Sequence, residues 1–573
     1  SYVGILQQQW MKDDISTITN TYPDHEDLQG PAGYNIPEVM TNFIPHNSVL
    51  ITTEAQMLPI LRSAAQKKQT RLRTAGWLQS GLLPPDILQR FPYEEHPDNI
   101  ALVLELADEL GLETDYALKE MADRVVPDLG VLKASPTATV RGRRLEFVNG
   151  MSANERFGCL SNWRRTGFAD QDPYSDPDTW LATVVNNRAD REPRSQVFAA
   201  ILVEDIAADH HFLIGTNLDG LQGYIRDLWE EWEKDISLFD DRGGEQEQPL
   251  RVVEKMARRF RLPYRPEHIQ GRLGCLLSDF AGEMPLAELE RLWCDPEGLQ
   301  QSLSMTDASA QAEEIRGFHQ ELLQRYHEYQ ELVDKIEQGA SPPKQLEQIF
   351  KEQLSGWFWS KFTVIEDPHS SGEQVIREIV KKTPPGLKSR VMGIQNIKGT
   401  GLDFVYRWQA WELCHDYCAQ LDAKDPAIAR EGLHNLSIFK DFGQLSEHTV
   451  QQTIERVRHK KLAQNELFQA ELRVILTNLD EAMKAIRKKM DAGRSVGLLA
   501  KLLDGVEAFL DSGDAIRRRK LANRIYRDLQ NERISHERAA LNKRQKEGWL
   551  KQRAFEFVGA FTRSDSATDS QSQ

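Results

Sequence analysis

The chain has 573 residues, 40% hydrophobic and 28% charged, and its 71 Lys and Arg against 87 Asp and Glu leave a net charge of −16 at pH 7. That length suits about three or four domains, and the acidic balance argues against a protein that binds nucleic acid over its whole surface. Five scattered cysteines (Cys159, Cys275, Cys294, Cys414, Cys418) are too few for a disulfide framework and fit a reducing compartment, while no apolar run approaches the ~20 residues that span a bilayer.

The sequence enters at Ser1 in what reads as the inside of a domain, so an N-terminally incomplete chain is expected. In chain order, short runs rich in Val, Ile, Leu and Thr predict strands at "DISTITNT" (14–21), "NSVLITT" (47–53), "LEFVNG" (145–150), "WLATVVNN" (180–187) and "HHFLIGT" (210–216). Amphipathic helices such as "NIALVLELADELGL" (99–112) lie between them. Strands alternating with helices predict a parallel sheet with crossover helices over residues 1–225. Residues 226–573 carry almost no such strand signal and read as long helices. In 308–338, Ile315, Phe318, Leu322, Tyr326, Tyr329, Val333 and Ile336 recur in steps of three and four, and Gly339 with Pro342-Pro343 ends the run. A second helical stretch follows Ser446, with Val450, Ile454 and Val457 and then Phe468, Leu472, Ile475, Leu479, Met483 and Ile486. The closing "RSDSATDSQSQ" reads as a disordered tail.

Polar residues gather just past the predicted strands. Asn20, Asp24, His25 and Asp27 follow the first one, a set that suits a hard cation with phosphate or, equally, a solvated loop. "FVNGMSANERFG" (147–158) ends in Asn149-Gly150 and then carries Asn154; "VVNNRADREPRSQVFA" (184–199) ends in Asn186-Asn187 and brings Arg188, Asp190, Arg191 and Arg194 together; "LIGTNLDG" (213–220) ends in Gly215-Thr216-Asn217; and Asn99 stands at a helix start. In an open parallel sheet, ligands bind beyond the carboxyl ends of the strands, and Arg forks hold carboxylate or phosphate bidentately. Asn and Gly also favour turns, so it is the recurrence at successive strand ends that points to a polyanion site.

Residues 1–225 resemble the poly-γ-glutamate synthase PgsB/CapB family of capsule-type amide ligases, relatives of the Mur and folylpolyglutamate ligases. "TNTYPDHEDLQGP" (19–31) is similar to that family's T/V-N-x-x-x-D-H-x-D-x-x-G segment, "PDNIALVLELADELGL" (97–112) to the helix closing its central ATPase domain, and "VPDLG" (126–130) to the connector into its C-terminal ligase domain. "VNGMSANE", "NNRADREPRSQVFA" and "LIGTNLD" are similar to successive strand ends of that domain. The resemblance implies an α/β architecture followed by an all-α region: a partial central ATPase domain of Mur ligase type at 1–127, a Rossmann-like ligase domain at 128–225, a helical extension at 226–555 and the tail at 556–573. It also implies an ATP-dependent carbon–nitrogen ligase that forms poly-γ-glutamate through an acyl phosphate, with ATP and Mg²⁺ as cofactors. Implied partners are glutamate, the polyglutamate chain and the membrane subunits of a capsule synthase complex, at the inner face of the cell membrane and without nucleic acid. Residue by residue, it makes His25 a metal ligand with Asp24 beside it and puts Asn99 on the adenine side. Asn149 and Asn154 fall at the nucleotide or acyl phosphate, and Arg188 and Arg191, with Asp190, form the catalytic set that holds the anionic substrate.

The family's G-x-x-x-x-G-K-[ST] phosphate loop occurs nowhere in the 573 residues, so the chain alone is expected to bind ATP weakly or not at all. "RVMGIQNIKGTGLDFVYRW" (390–408) is similar to the family's last strand and glycine-rich turn, although Gly393, Gly399 and Gly401 also read as loop and helix-packing glycines. "CHDYC" (414–418) lacks further ligands for a metal and reads as two small buried cysteines. Residues 514–553 hold 13 basic and 5 acidic residues, a net +8 that suits an anionic polymer or membrane surface, or a solvated helix face. The alternative to an enzyme is a non-catalytic assembly or scaffold protein, in which a degenerate ligase domain carries a helical interaction module.

Overall fold

The computed structural model describes residues 12–22, 35–239, 248–281, 284–304, 312–339, 342–460 and 465–492. These divide into two compact units, one ending at Val126 and the other beginning at Pro127.

In the first unit, β1 (Ile15–Ile18), β2 (Val49–Thr52) and β3 (Arg71–Thr74) form a parallel sheet in that order, with Ile15 opposite Val49 and Val49 opposite Arg71. The helix Leu58–Lys67 crosses from β2 to β3 and buries Leu61 and Ala65 with Ile18, Ile44 and Leu50. "RLRT" carries no apolar run to predict β3; it forms because its backbone completes the ladder of β2, while Arg73 is held by Glu105, Asp108 and Glu109 of the helix Pro97–Glu109.

In the second unit, β4 (Ala138–Val140), β5 (Arg143–Asn149), β6 (Thr179–Asn187), β7 (His210–Gly215), β8 (Phe362–Val364) and β9 (Lys388–Ile394) form one sheet in the order β4-β5-β9-β6-β7-β8. Only β4 runs antiparallel, at one edge. Side-chain alternation divides the strands between two apolar cores. Val148, Leu181, Val185, Leu213, Met392 and Ile394 face one, with Phe198, Leu221 and Trp357 over them. Phe147, Ala182, Val184, Phe212, Ile214 and Val391 face the other, under Val375, Phe404 and Trp408. The protein is mixed α/β, with all strands of this sheet but β4 parallel and many helices around them.

The expected helical extension at 226–555 needs correction, because two strands of the sheet come from it. β9 pairs with both β5 and β6 in the middle of the sheet, and β8 extends the far edge. The helices from Pro249–Arg259 to Pro343–Trp359 lie in sequence between β7 and β8. A strand buried on both faces usually reads as a continuous apolar run, but β9 begins "KSR". Lys388 and Arg390 are tolerated there because Glu146 of β5 accepts from both, at 2.5 and 2.8 Å. Burial pushes the Glu146 carboxyl up, but those two hydrogen bonds outweigh it and leave the group below the usual carboxylate range.

The predicted helix at 308–338 is found as Ala312–Gln338, with Ile315, His319, Leu323, Tyr329 and Leu332 buried. The stripe after Ser446 is split into Gln444–Arg458 and Glu466–Ala492, which pack Val450, Ile454, Val457, Phe468, Leu472, Ile475, Leu479 and Met483 with the buried Cys414 and Cys418. The basic segment 514–553 and the tail 556–573 lie outside the described residues.

Candidate functional site at the carboxyl edge of the sheet

The carboxyl ends of β5, β9, β6 and β7 are neighbours in space, and each ends in polar sequence: Asn149, Gln395-Asn396, Asn186-Asn187 and Thr216-Asn217. The side-chain amides lock the ends of β9, β6 and β7 together. Asn186 Nδ2 donates to the carbonyls of Asn396 (2.8 Å) and Lys398 (2.7 Å). Asn187 Nδ2 donates to the carbonyls of Thr216 (2.9 Å) and Asn217 (3.0 Å). With both amino groups committed to carbonyls, the orientation of each amide is settled, and Asn187 Oδ1 must accept. It does so from Ser195 Oγ and from Gln395 Nε2, each at 2.7 Å. Asn396 Nδ2 returns a bond to the Asn186 carbonyl at 3.2 Å.

The close approach of β6 and β7 at this edge requires Gly215. Its φ is +97°, and a Cβ there would lie 2.2 Å from the Asn187 carbonyl oxygen. Gln395 adopts φ +84°, a left-handed conformation that costs energy for a side chain with a Cβ and tends to persist where structure around it demands it. Asn186 Oδ1 and Gln395 Oε1 are buried without a hydrogen-bond donor among the described residues. An unmet buried acceptor costs about 1–3 kcal/mol, so both atoms favour a donor brought by a ligand or solvent.

The arginines ride on the turn after β6. Arg188 Nη2 donates to Asp190 Oδ2 at 2.8 Å, Arg191 Nε lies 4.0 Å from the same oxygen, and the Arg191 amide closes the turn on the Arg188 carbonyl. The three side chains are 26%, 22% and 22% exposed, so all remain within reach of a ligand. Arg194, one turn into the helix Glu192–Ala200, donates to Asn396 Oδ1 at 2.5 Å. Across 188–194 three arginines against Asp190 and Glu192 leave a net charge of +1 on a partly exposed turn, which suits a carboxylate or phosphate.

The other expected residues stand apart from this cluster. Asn149 Nδ2 is spent on the Leu129 carbonyl at 2.8 Å. Asn149 also lines a cavity of about 360 Å³ with Leu129, Lys133, Phe147, Trp408 and Glu412. Asn154 is half-buried in the loop leading to the helix Arg156–Arg165. Asn99, in the first unit, is exposed and donates to Glu95 Oε1 at 2.8 Å. Asp24, His25 and Asp27 lie outside the described residues. What precedes them is held down by Glu54 at the end of β2, whose Oε2 accepts from the amide and hydroxyl of Thr21 at 2.6 and 2.7 Å. Sequence reasoning missed Ser195, Gln395 and Asn396 as partners of this edge. The available signal was a polar Gln-Asn pair directly after the apolar "VMGI", the same pattern as Asn-Asn after "LATVV".

β5, β9, β6 and β7 thus make a parallel sheet with a layer of amides and arginines at its carboxyl edge, the edge at which open α/β sheets generally bind ligands. Residues 134–270 match the family described as Poly-gamma-glutamate synthase CapB C-terminal domain. The chain is 30% identical over 217 residues to the PGA synthase CapB of Bacillus subtilis (strain 168), covering 37% of this chain and 52% of that protein. It is 30% identical over 214 residues to the Capsule biosynthesis protein CapB of Bacillus anthracis, covering 37% of this chain and 44% of that protein. The chain thus spans about half the length of the curated relatives it matches, and no solved structure matches it. The family match is confined to residues 134–270. That segment contains β4 to β7, whereas β9, which separates β5 from β6, comes from outside it.

Among the described residues, no helix is long and apolar enough to cross a membrane.

Proposed function

We propose that the chain takes part in an ATP-dependent amide ligation that joins glutamate to a poly-γ-glutamate chain, with the carboxyl edge of the six-stranded sheet binding the anionic amino-acid substrate. The observation that carries this reading is the partly exposed Arg188–Asp190–Arg191 turn on a strand end inside the matched CapB-type domain. Arg188 and Arg191 hold a substrate carboxylate, and Asp190 keeps both guanidinium groups on the same side of the turn. The unclaimed oxygens of Asn186 and Gln395 favour a donor in the same layer. ATP with Mg²⁺, when bound, supplies the phosphoryl group that activates the acceptor carboxylate as an acyl phosphate.

No G-x-x-x-x-G-K-[ST] phosphate loop occurs in the sequence. The amino groups of Asn99 and Asn149 are committed to Glu95 and Leu129, and the metal roles of Asp24 and His25 rest on the family resemblance alone. The reading therefore needs the β- and γ-phosphates to be held by groups other than these. Partners on this reading are glutamate, the growing polymer and a capsule synthase assembly at the membrane.

The test is ADP release coupled to incorporation of labelled glutamate into polymer, with the chain supplied alone and with its neighbouring capsule subunits. Glutamate-dependent ADP release in either setting is expected. No turnover in both, with the chain still co-purifying with those subunits, would favour the scaffold reading instead.

A further inference from the structure

Two strands separated by two hundred residues of sequence meet at the candidate site, and the later one does the holding. Gln395 and Asn396 follow β9, outside the segment that matches the CapB-type domain and within the region expected to be largely helical. Yet their side chains reach the β6 end and the turn beyond it. Gln395 Nε2 donates to Asn187 Oδ1, and Asn396 Oδ1 accepts from Arg194 while its Nδ2 donates to the Asn186 carbonyl. Gln395 is fully buried and Asn396 is 3% exposed, so these bonds form away from competing water. The left-handed backbone at Gln395 breaks the strand's pleat at the point where its amide must turn towards β6.

We propose that Gln395 and Asn396 are positioning residues for the 188–194 turn. They fix Asn187 and Arg194 at the two ends of the turn, so that Arg188 and Arg191 are presented to the amino-acid substrate in one arrangement. The proposal rests on the reading of that turn as the amino-acid site. An amide at 395 supplies two atoms here: its Nε2 is the second donor to Asn187 Oδ1, beside Ser195 Oγ, while its own oxygen stays available in the strand-end layer. An apolar side chain of the same length fills the space and supplies neither atom.

The experiment uses the full chain, as wild type and as Gln395→Met, with Gln395→Asn as the second variant. Gln395→Asn keeps an amide but shortens its reach by one methylene, and it serves if Gln395→Met does not fold. Amide hydrogen exchange at 188–195 is expected to speed up at least tenfold, while exchange in 181–185 and 210–214 stays as in the wild type. In the ligase reaction, KM for the incoming amino acid should rise at least tenfold, with kcat within threefold and KM for ATP within twofold. Unchanged exchange at 188–195, or equal loosening of the whole sheet, overturns the proposal. So does faster exchange at the turn with an unchanged KM for the amino acid. A wild-type chain without ligase activity in any setting defeats the functional reading, and the exchange comparison then decides by itself whether these residues hold the turn.

Discussion

The two edges of the six-stranded sheet use the same residue types in opposite ways. At the amino edge, Asp209 Oδ2 accepts from the Leu181 amide at 2.8 Å and from Arg261 Nε at 3.0 Å, with Arg272 3.7 Å from its other oxygen. Arg261 also donates to Gln171, Arg272 to the carbonyls of Pro177 and Thr179, and Lys361 to those of Ala208 and Phe260. All four charged side chains are nearly inaccessible, and burial pushes the Lys361 ammonium down to about 7. At the carboxyl edge, Arg188, Asp190 and Arg191 are partly exposed, and two amide oxygens lack donors among the described residues. Buried charge by itself therefore does not mark a site here. A charge closed into carbonyls and a counter-ion ties helices to the sheet, whereas a charge on a partly exposed turn beside unmet acceptors can meet a ligand.

The contrast can be broken most forcefully at Asp209. Replacing it by Ala leaves Arg261 and Arg272 buried without their carboxylate, and loss of one partner of a buried pair costs about 3–5 kcal/mol. Urea denaturation of Asp209→Ala should show that loss in the midpoint; a shift under about 1 kcal/mol would mean that the amino edge is not a structural lock. Arg191→Ala is the counterpart at the other edge. It should cost on the order of 2–5 kcal/mol in substrate binding or transition-state energy while leaving the melting temperature nearly unchanged. Wild-type turnover in that variant removes Arg191 from the site.

Acid sharpens the same comparison. His210 and His211 open β7 at the amino edge, hydrogen-bonded to Thr363 and Thr183 at 2.8 Å. Burial, helped by the nearby Lys361, holds both below the usual 6.5, His210 down to about 3. The unfolded chain therefore takes up protons below pH 6.5 that the folded chain refuses. Stability from this source is complete above pH 6.5 and falls as pH drops, by about 1.4 kcal/mol per pH unit for each histidine. Urea titrations at pH 6.5 and 5.5 should show the slope, and His210→Gln with His211→Gln should flatten it. The smallest effect belongs to Ser195→Ala, which removes one of two donors to Asn187 Oδ1. About 1 kcal/mol of stability is expected to go, read from the thermal midpoint, and a loss above about 3 kcal/mol would show that Gln395 alone cannot hold that amide.

Strands with their own apolar run are legible in the amino-acid sequence: β1, β2, β5, β6 and β7 all fall where Val, Ile and Leu cluster. β3 has no such run, because Arg71 and Arg73 interrupt it, and β9, which begins with Lys388 and Arg390, is signalled only by the similarity of 390–408 to the family's last strand; Arg73, Lys388 and Arg390 each meet a carboxylate from another element. The candidate site divides in the same way. The Arg188–Asp190–Arg191 turn can be picked out because it is contiguous in sequence. Gln395 and Asn396 cannot, since nothing in "GIQN" says which strand will lie beside it.

The sequence by itself determined the α/β character, the parallel pairing implied by strand–helix alternation and the polar strand ends, because these follow from local periodicity and residue type. Only the tertiary structure decided that β9 sits between β5 and β6, and with it which amides lock the arginine turn. Strand order is set by the burial of both faces of the sheet at once, and that is a sum over contacts between residues far apart in the chain.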